Sequence, residues 1–161
     1  MTPEIKTLTE KLLVGLNLEM SIADNRTAEL WRSLMMRRNE IPNSMDSNLY
    51  SLQVYPENYF VPFHPTTRFI KWAAVEVSGA GIIPADMELL RLSGGLYAVF
   101  HYRGHPRNGA QTFQYIYGSW LPHSGYELDN RPHFEILGEK YRNDSPDSEE
   151  EIWIPIKPKR P

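Results

Sequence analysis

Carboxylates, hydroxyls and aromatic rings are what this chain offers for chemistry, because it has no cysteine but five histidines, nine tyrosines and four tryptophans. Disulfides, thiol nucleophiles and thiolate metal sites are thereby excluded. His101 and His105 are four residues apart, yet Gly104 and Pro106 argue against a helix that would place both rings on one face. His123 and His133 have no recognisable third ligand, so neither a metal site nor a cofactor is expected. Ser119 and Ser124 lie outside any nucleophile-elbow pattern, and Gly79-Ala80-Gly81 and Gly94-Gly95 lack the lysine and helix of a phosphate-binding loop. No catalytic residue is assigned.

What remains is a set of acids among aromatics. Glu135 stands between Phe134 and Ile136, so on a strand it takes the face opposite those two apolar side chains. A solvated strand carboxylate is the plain alternative. Trp72 alternates with Ile70, Ala74 and Glu76, a second strand face on which aromatic and acidic groups mix; an ordinary exposed sheet face is its alternative. The aromatic content of 12% exceeds what filling the core of one small domain requires, which points to a binding surface.

These residues need elements to position them. Lys11 to Met20 has the period of two of a half-buried strand. Asp24 or Asn25 can cap a helix in which Ala28, Trp31, Leu34 and Met35 recur at helical spacing, with Arg37 and Arg38 near its negative end. Ile41-Pro42 ends it. Leu49 to Tyr55 and Arg68 to Ser78 are rich in β-branched and aromatic residues and read as strands, separated by a stretch with three prolines. A strand bent or bulged at Ser93-Gly94-Gly95 is expected from Glu88 to Tyr102. Asn108 would cap a second helix, with Phe113, Ile116, Tyr117 and Trp120 as one apolar stripe and Pro122 as its end. Strands at His133 to Tyr141 and Glu151 to Lys157 complete the chain. The order strand, helix, strand, strand occurs twice, and two such units would pair about a pseudo-twofold with a groove at their junction.

A length of 161 residues suits one domain, and 41% hydrophobic residues suffice for a core. A net charge of −3 lacks the positive field that binding a phosphate backbone requires, so nucleic acid is not expected as a direct partner. No stretch reaches the roughly 18 apolar residues of a membrane span, and no leader pattern opens the chain; a membrane partner is not expected and a cytoplasmic location is.

Three segments carry a resemblance to a known family. Tyr117-Gly118-Ser119-Trp120-Leu121-Pro122-His123-Ser124-Gly125-Tyr126, then Arg131-Pro132-His133-Phe134-Glu135-Ile136, then Glu151-Ile152-Trp153-Ile154-Pro155-Ile156-Lys157 together resemble the GyrI-like family, the small-molecule-binding domain also found as the effector-binding part of AraC-type and MerR-type regulators. The resemblance implies an α+β fold of two βαββ repeats, about 8–80 and 86–157, within a single domain spanning 1–161. It implies an antiparallel sheet with helices on one face and a ligand cleft between the halves. It also implies that Glu135 faces that cleft and pairs with a small apolar, cationic aromatic ligand. Such a carboxylate attracts a cation far more strongly in a desolvated aromatic pocket than in water. Tyr50, Trp72, Tyr102, Trp120, Trp153 and Glu76 are the further wall candidates, although a core position is the simplest reading of Trp120 at the end of its stripe. No helix-turn-helix segment is seen, so a stand-alone, noncatalytic effector-binding domain is the leading expectation. A hydrolase of electrophilic small molecules, using Glu135 with Glu76 or Tyr102, and a module binding gyrase or another protein are the alternatives.

Overall fold

A computed structural model describes residues 1–160. Eleven elements follow in the order β1 (Glu4–Leu8), β2 (Lys11–Met20), α1 (Thr27–Arg37), β3 (Leu49–Val54), β4 (Phe69–Val77), β5 (Glu88–Leu92), β6 (Gly95–Arg103), α2 (Gly109–Tyr115), β7 (Tyr126–Leu128), β8 (His133–Leu137) and β9 (Glu149–Pro158). The fold is α+β, with an antiparallel sheet in the strand order β1-β6-β9-β8-β3-β4-β2-β5 and β7 added beside β9. This order reads symmetrically about the β3–β8 pair, so that β2-α1-β3-β4 and β6-α2-β8-β9 form two like βαββ units.

The halves exchange their outermost strands. β1 precedes β2 but pairs with β6, and β5 precedes β6 but pairs with β2. One register runs through both pairings, from Glu4 opposite Val99 to Gly15 opposite Glu88. The expected strand across residues 88–102 is thus interrupted at Ser93–Gly94, where its two parts continue along the same partner segment. This continuity draws the two ends of the sheet together and curls it around a core of Leu13, Tyr50, Trp72, Tyr97, Phe134 and Trp153, with contributions from both halves.

Both helices pack on the outside of the curl. α1 buries Leu30 and Leu34 against Val14, Ala73 and Val75. The carboxamide of Asn25 accepts from the Thr27 amide at 3.0 Å, but no side chain caps α1, whose boundary residue is Arg26. At the second helix Asn108 likewise makes no cap bond; His105 Nδ1 instead accepts from the Arg107 amide at 3.1 Å, closing a preceding 3₁₀ turn. α2 then passes through a π-helical turn at Ile116–Trp120 before its last turn, Leu121–His123. Phe113, Ile116, Tyr117 and Trp120 all still pack on the outer core, as the expected stripe requires, but the wider turn spreads them over it. Tyr117 remains stacked with Phe113, while Trp120 swings to an edge-on contact with Phe100.

Gly95 shows how closely the curl is drawn. Its φ of +152° is one that side chains rarely adopt, and a Cβ there would overlap the Arg131 guanidinium. That guanidinium donates from Nε to Asp129 at 2.7 Å and from Nη2 to the Leu96 and Ile156 carbonyls, and it lies over the Tyr97 ring.

Candidate functional site

Strand alternation sorts the aromatic and acidic residues between two faces. On β8, Phe134 enters the curled core, so Glu135 takes the outer face, the one on which the helices pack. The register places Ser51 of β3 opposite Glu135, and Gln53 opposite both His133 of β8 and Lys71 of β4. Glu150 of β9 is two residues before Ile152, the partner of Glu135, and therefore shares the outer face.

These groups form a small polar floor. Gln53 Nε2 donates to Glu135 Oε1 at 3.3 Å and to Ser51 Oγ at 3.4 Å. Burial pushes the Glu135 carboxyl up to about 7; Glu150 pushes in the same direction, whereas Lys71 and the Gln53 hydrogen bond oppose it. Glu150 rises to about 6, again through burial. The Lys71 ammonium donates to Thr27 Oγ1 on α1 at 3.2 Å, and its pKa is lowered by burial, with the two glutamates holding it up.

Aromatic rings wall this floor. Tyr55 follows directly after β3, and Phe60 comes from the loop between β3 and β4. Tyr55 meets His133 edge-on at 4.9 Å and Phe60 at 5.1 Å, and Phe60 stacks on Tyr117 of the second helix at 5.0 Å. Tyr117 Oη lies 3.0 Å from His133 Nδ1. Burial pulls the His133 imidazole down to about 3, keeping it neutral, and raises the Tyr117 and Tyr55 phenols. The Tyr141 phenol is raised too, by burial and then by Glu150 and Glu135. An open hollow of about 460 Å³ adjoins Tyr55, Phe60 and His133 on the side toward Arg131 and Lys157. A second, of about 340 Å³, borders Glu150 and Tyr102.

The other candidates named from the sequence do not gather here. Tyr50, Trp72 and Trp153 are buried in the curled core on the opposite face from Glu135. Glu76 is on that face too, accepting from Lys11 Nζ at 3.1 Å and from the Tyr50 hydroxyl at 3.3 Å. Tyr102 does occupy the outer face, but its hydroxyl donates to the His105 carbonyl at 2.6 Å. Trp120 packs against Phe100 and Tyr126, away from the floor. Lys71, Gln53, Glu150, Tyr55, Phe60, Tyr117 and Tyr141 are the groups that sequence reading passed over as site residues. One signal was present: Lys71 is the single charged residue between Phe69 and Val75 of an otherwise apolar strand. Among the described residues no cluster of three metal-ligating side chains occurs, and no helix is long and apolar enough to cross a membrane.

An antiparallel sheet built from two like halves, each with a helix on its outer side, is the fold of a small-molecule-binding class. The chain belongs to the GyrI-like small molecule binding domain family, whose sequence pattern matches residues 1–157. It is 26% identical over 145 residues to the transcriptional regulator BrlR of Pseudomonas aeruginosa, covering 89% of this chain and 51% of BrlR. The chain thus spans about half the length of that relative. Its fold is shared with SAV2435 bound to tetraphenylphosphonium (TM-score 0.73, 18% identity, 98% of this chain and 94% of that one). It is shared also with the EcmrR C-terminal domain (TM-score 0.68, 12% identity, 98% of each chain).

Proposed function

We propose that this chain binds a lipophilic cation noncatalytically, seating the charge at Glu135 between the rings of Tyr55, Phe60, Tyr117 and Tyr141. The observation that carries this reading is the state of the carboxylate itself. It is half-buried in an aromatic surround, and the one side chain bonded to it is a neutral carboxamide. Desolvation has raised its pKa, and an incoming cation would recover the electrostatic energy that burial withholds. Ring faces add cation–π attraction. The fold likeness to SAV2435 supports the choice of tetraphenylphosphonium as probe. Calorimetric titration at pH 8 is expected to show saturable binding, and Glu135→Gln should weaken it at least about tenfold, or ~1.4 kcal/mol. Equal binding by the variant would remove the carboxylate from the site.

The same raised pKa favours a second reading, hydrolysis of an electrophilic small molecule. At neutral pH Glu135 is poised to donate or accept a proton, and Glu150 and Tyr117 provide the neighbouring acid and phenol that such chemistry needs. Glu76 and Tyr102 drop out of this role, since one lies on the other face and the other is engaged with a carbonyl. Release of product from an epoxide or activated-ester panel, lost in Glu135→Gln with the fold intact, would establish turnover.

A further inference from the structure

Lys71 does not belong in a site built only for cations. A bare ammonium beside the bound charge would repel it, yet this lysine shares the outer sheet face with Glu135, two strands away and two residues along, at a backbone separation of roughly 12 Å. Its partners are few. Among the described residues Nζ makes one hydrogen bond, to Thr27 Oγ1, and no carboxylate lies within ion-pair distance. An ammonium carries three donors, so most of its capacity is unused. Thr27 is also the first residue of α1, where the helix dipole presents its positive end and offers an ammonium nothing.

Glu150 is likewise half-buried, makes neither a hydrogen bond nor an ion pair among the described residues, and borders the open hollow of about 340 Å³. The outer face therefore carries two carboxylates and one ammonium, all partly withdrawn from water, with no ion pair between them among the described residues. Buried charges of this kind are costly until matched. A ligand with positive charge alone would satisfy the acids and leave the lysine worse off than before.

We propose that Lys71 is the specificity-determining residue of this site, selecting ligands that carry an anionic or strongly accepting oxygen on the same scaffold as their cationic nitrogen. The cation lies at Glu135 and the oxygen reaches Lys71, so the preferred chemistry is that of an aromatic zwitterion. This rests on the cation-binding reading above and goes further by fixing the second functional group of the ligand.

Two xanthene dyes isolate that group. Rhodamine 110 carries a free carboxylate and rhodamine 123 is its methyl ester, with the same cationic ring system. Fluorescence polarisation at pH 8 is expected to show the wild type binding the acid at least about fivefold more tightly than the ester. Lys71→Met should abolish the preference, mainly by weakening the acid, while Lys71→Arg retains it. Glu135→Gln should weaken both dyes and leave their ratio in favour of the acid. Thermal melts of each variant confirm that folded protein is compared. An ester bound as tightly as the acid by the wild type, or a preference that survives in Lys71→Met, overturns the role of Lys71 while leaving cation binding standing. Failure of both dyes to bind overturns the two readings together.

Discussion

Both faces of the sheet are packed with aromatic residues, yet the polar groups among them are matched differently. On the inner face three polar ends are matched: the Tyr50 hydroxyl by Glu76, the Tyr97 hydroxyl by the Pro132 carbonyl at 2.9 Å, and the Trp153 indole by Glu151 at 2.9 Å. On the outer face, among the described residues, the Tyr55 hydroxyl makes no hydrogen bond to protein, Glu150 has no partner and Lys71 has one. Aromatic density therefore does not mark a binding site. The proposed site is set apart instead by aromatic density beside charges that the fold leaves incompletely matched, because a ligand can supply only what the protein lacks.

This contrast is most forcefully tested on the inner face. Trp153 stacks on Phe134 at 5.2 Å and meets Tyr97 edge-on, so Trp153→Ala is expected to cost about 3–5 kcal/mol, read by urea unfolding. The fraction that remains folded should bind tetraphenylphosphonium as before. A selective loss of binding without loss of stability would reverse the assignment of the two faces.

The outer face should show its mismatch as a pH dependence. The folded-state pKa of Glu135, about 7, lies above its unfolded value of 4.5, so the folded state holds the proton more firmly between them. Stability is thus greatest below pH 4.5 as far as this group is concerned and is lost as pH rises to about 7; from pH 5 to pH 8 the loss is about 2 kcal/mol. Glu150 acts in the same direction up to about pH 6. Glu135→Gln should flatten the pH profile of chemical denaturation and be the more stable protein at pH 8. Cation affinity has the opposite trend. It should rise roughly tenfold from pH 6 to pH 8 as the carboxyl ionises about a pKa near 7, and calorimetry at the two values would reveal it.

Smaller effects sharpen the comparison. Phe60→Ala removes a ring stacked on Tyr117 and should reduce dye affinity by a few-fold up to about tenfold, the worth of one aromatic contact, with little change in melting temperature. Glu76→Gln changes an acid of the inner face and should leave cation affinity within twofold of wild type. A clear loss in that variant would mean that the ion pair with Lys11 reaches the proposed site.

Much of the architecture was legible because it depends on local periodicity. The range of β2 follows the alternation in Lys11 to Met20, β3 and β4 fall within the expected segments, and the repeated strand-helix-strand-strand order follows from counting such segments. β1 and β7 escaped notice, being short strands of 5 and 3 residues without a strong apolar pattern. The π-helical turn escaped too, since a 3.6-residue period is what a sequence stripe presupposes, and a wider turn sends Tyr117 and Trp120 to different neighbours.

The candidate site was legible at one position. Alternation within β8 separates Glu135 from Phe134, and alternation within β4 groups Trp72 with Glu76; both hold in the fold. Neither says which face of β4 joins which face of β8. That is decided by cross-strand register through β3, where Ser51 faces Glu135 and Tyr50 faces Ile136. A shift of one residue would have put Tyr50 and Trp72 around the carboxylate. By itself, then, the amino-acid sequence determined the elements, their repeat and the parity of each strand, all of which are short-range properties of side-chain order. Tertiary structure alone decided which parities meet, because register is set between segments distant along the chain, and it thereby enclosed one set of aromatics and left Glu135, Lys71 and Glu150 together on the outer face.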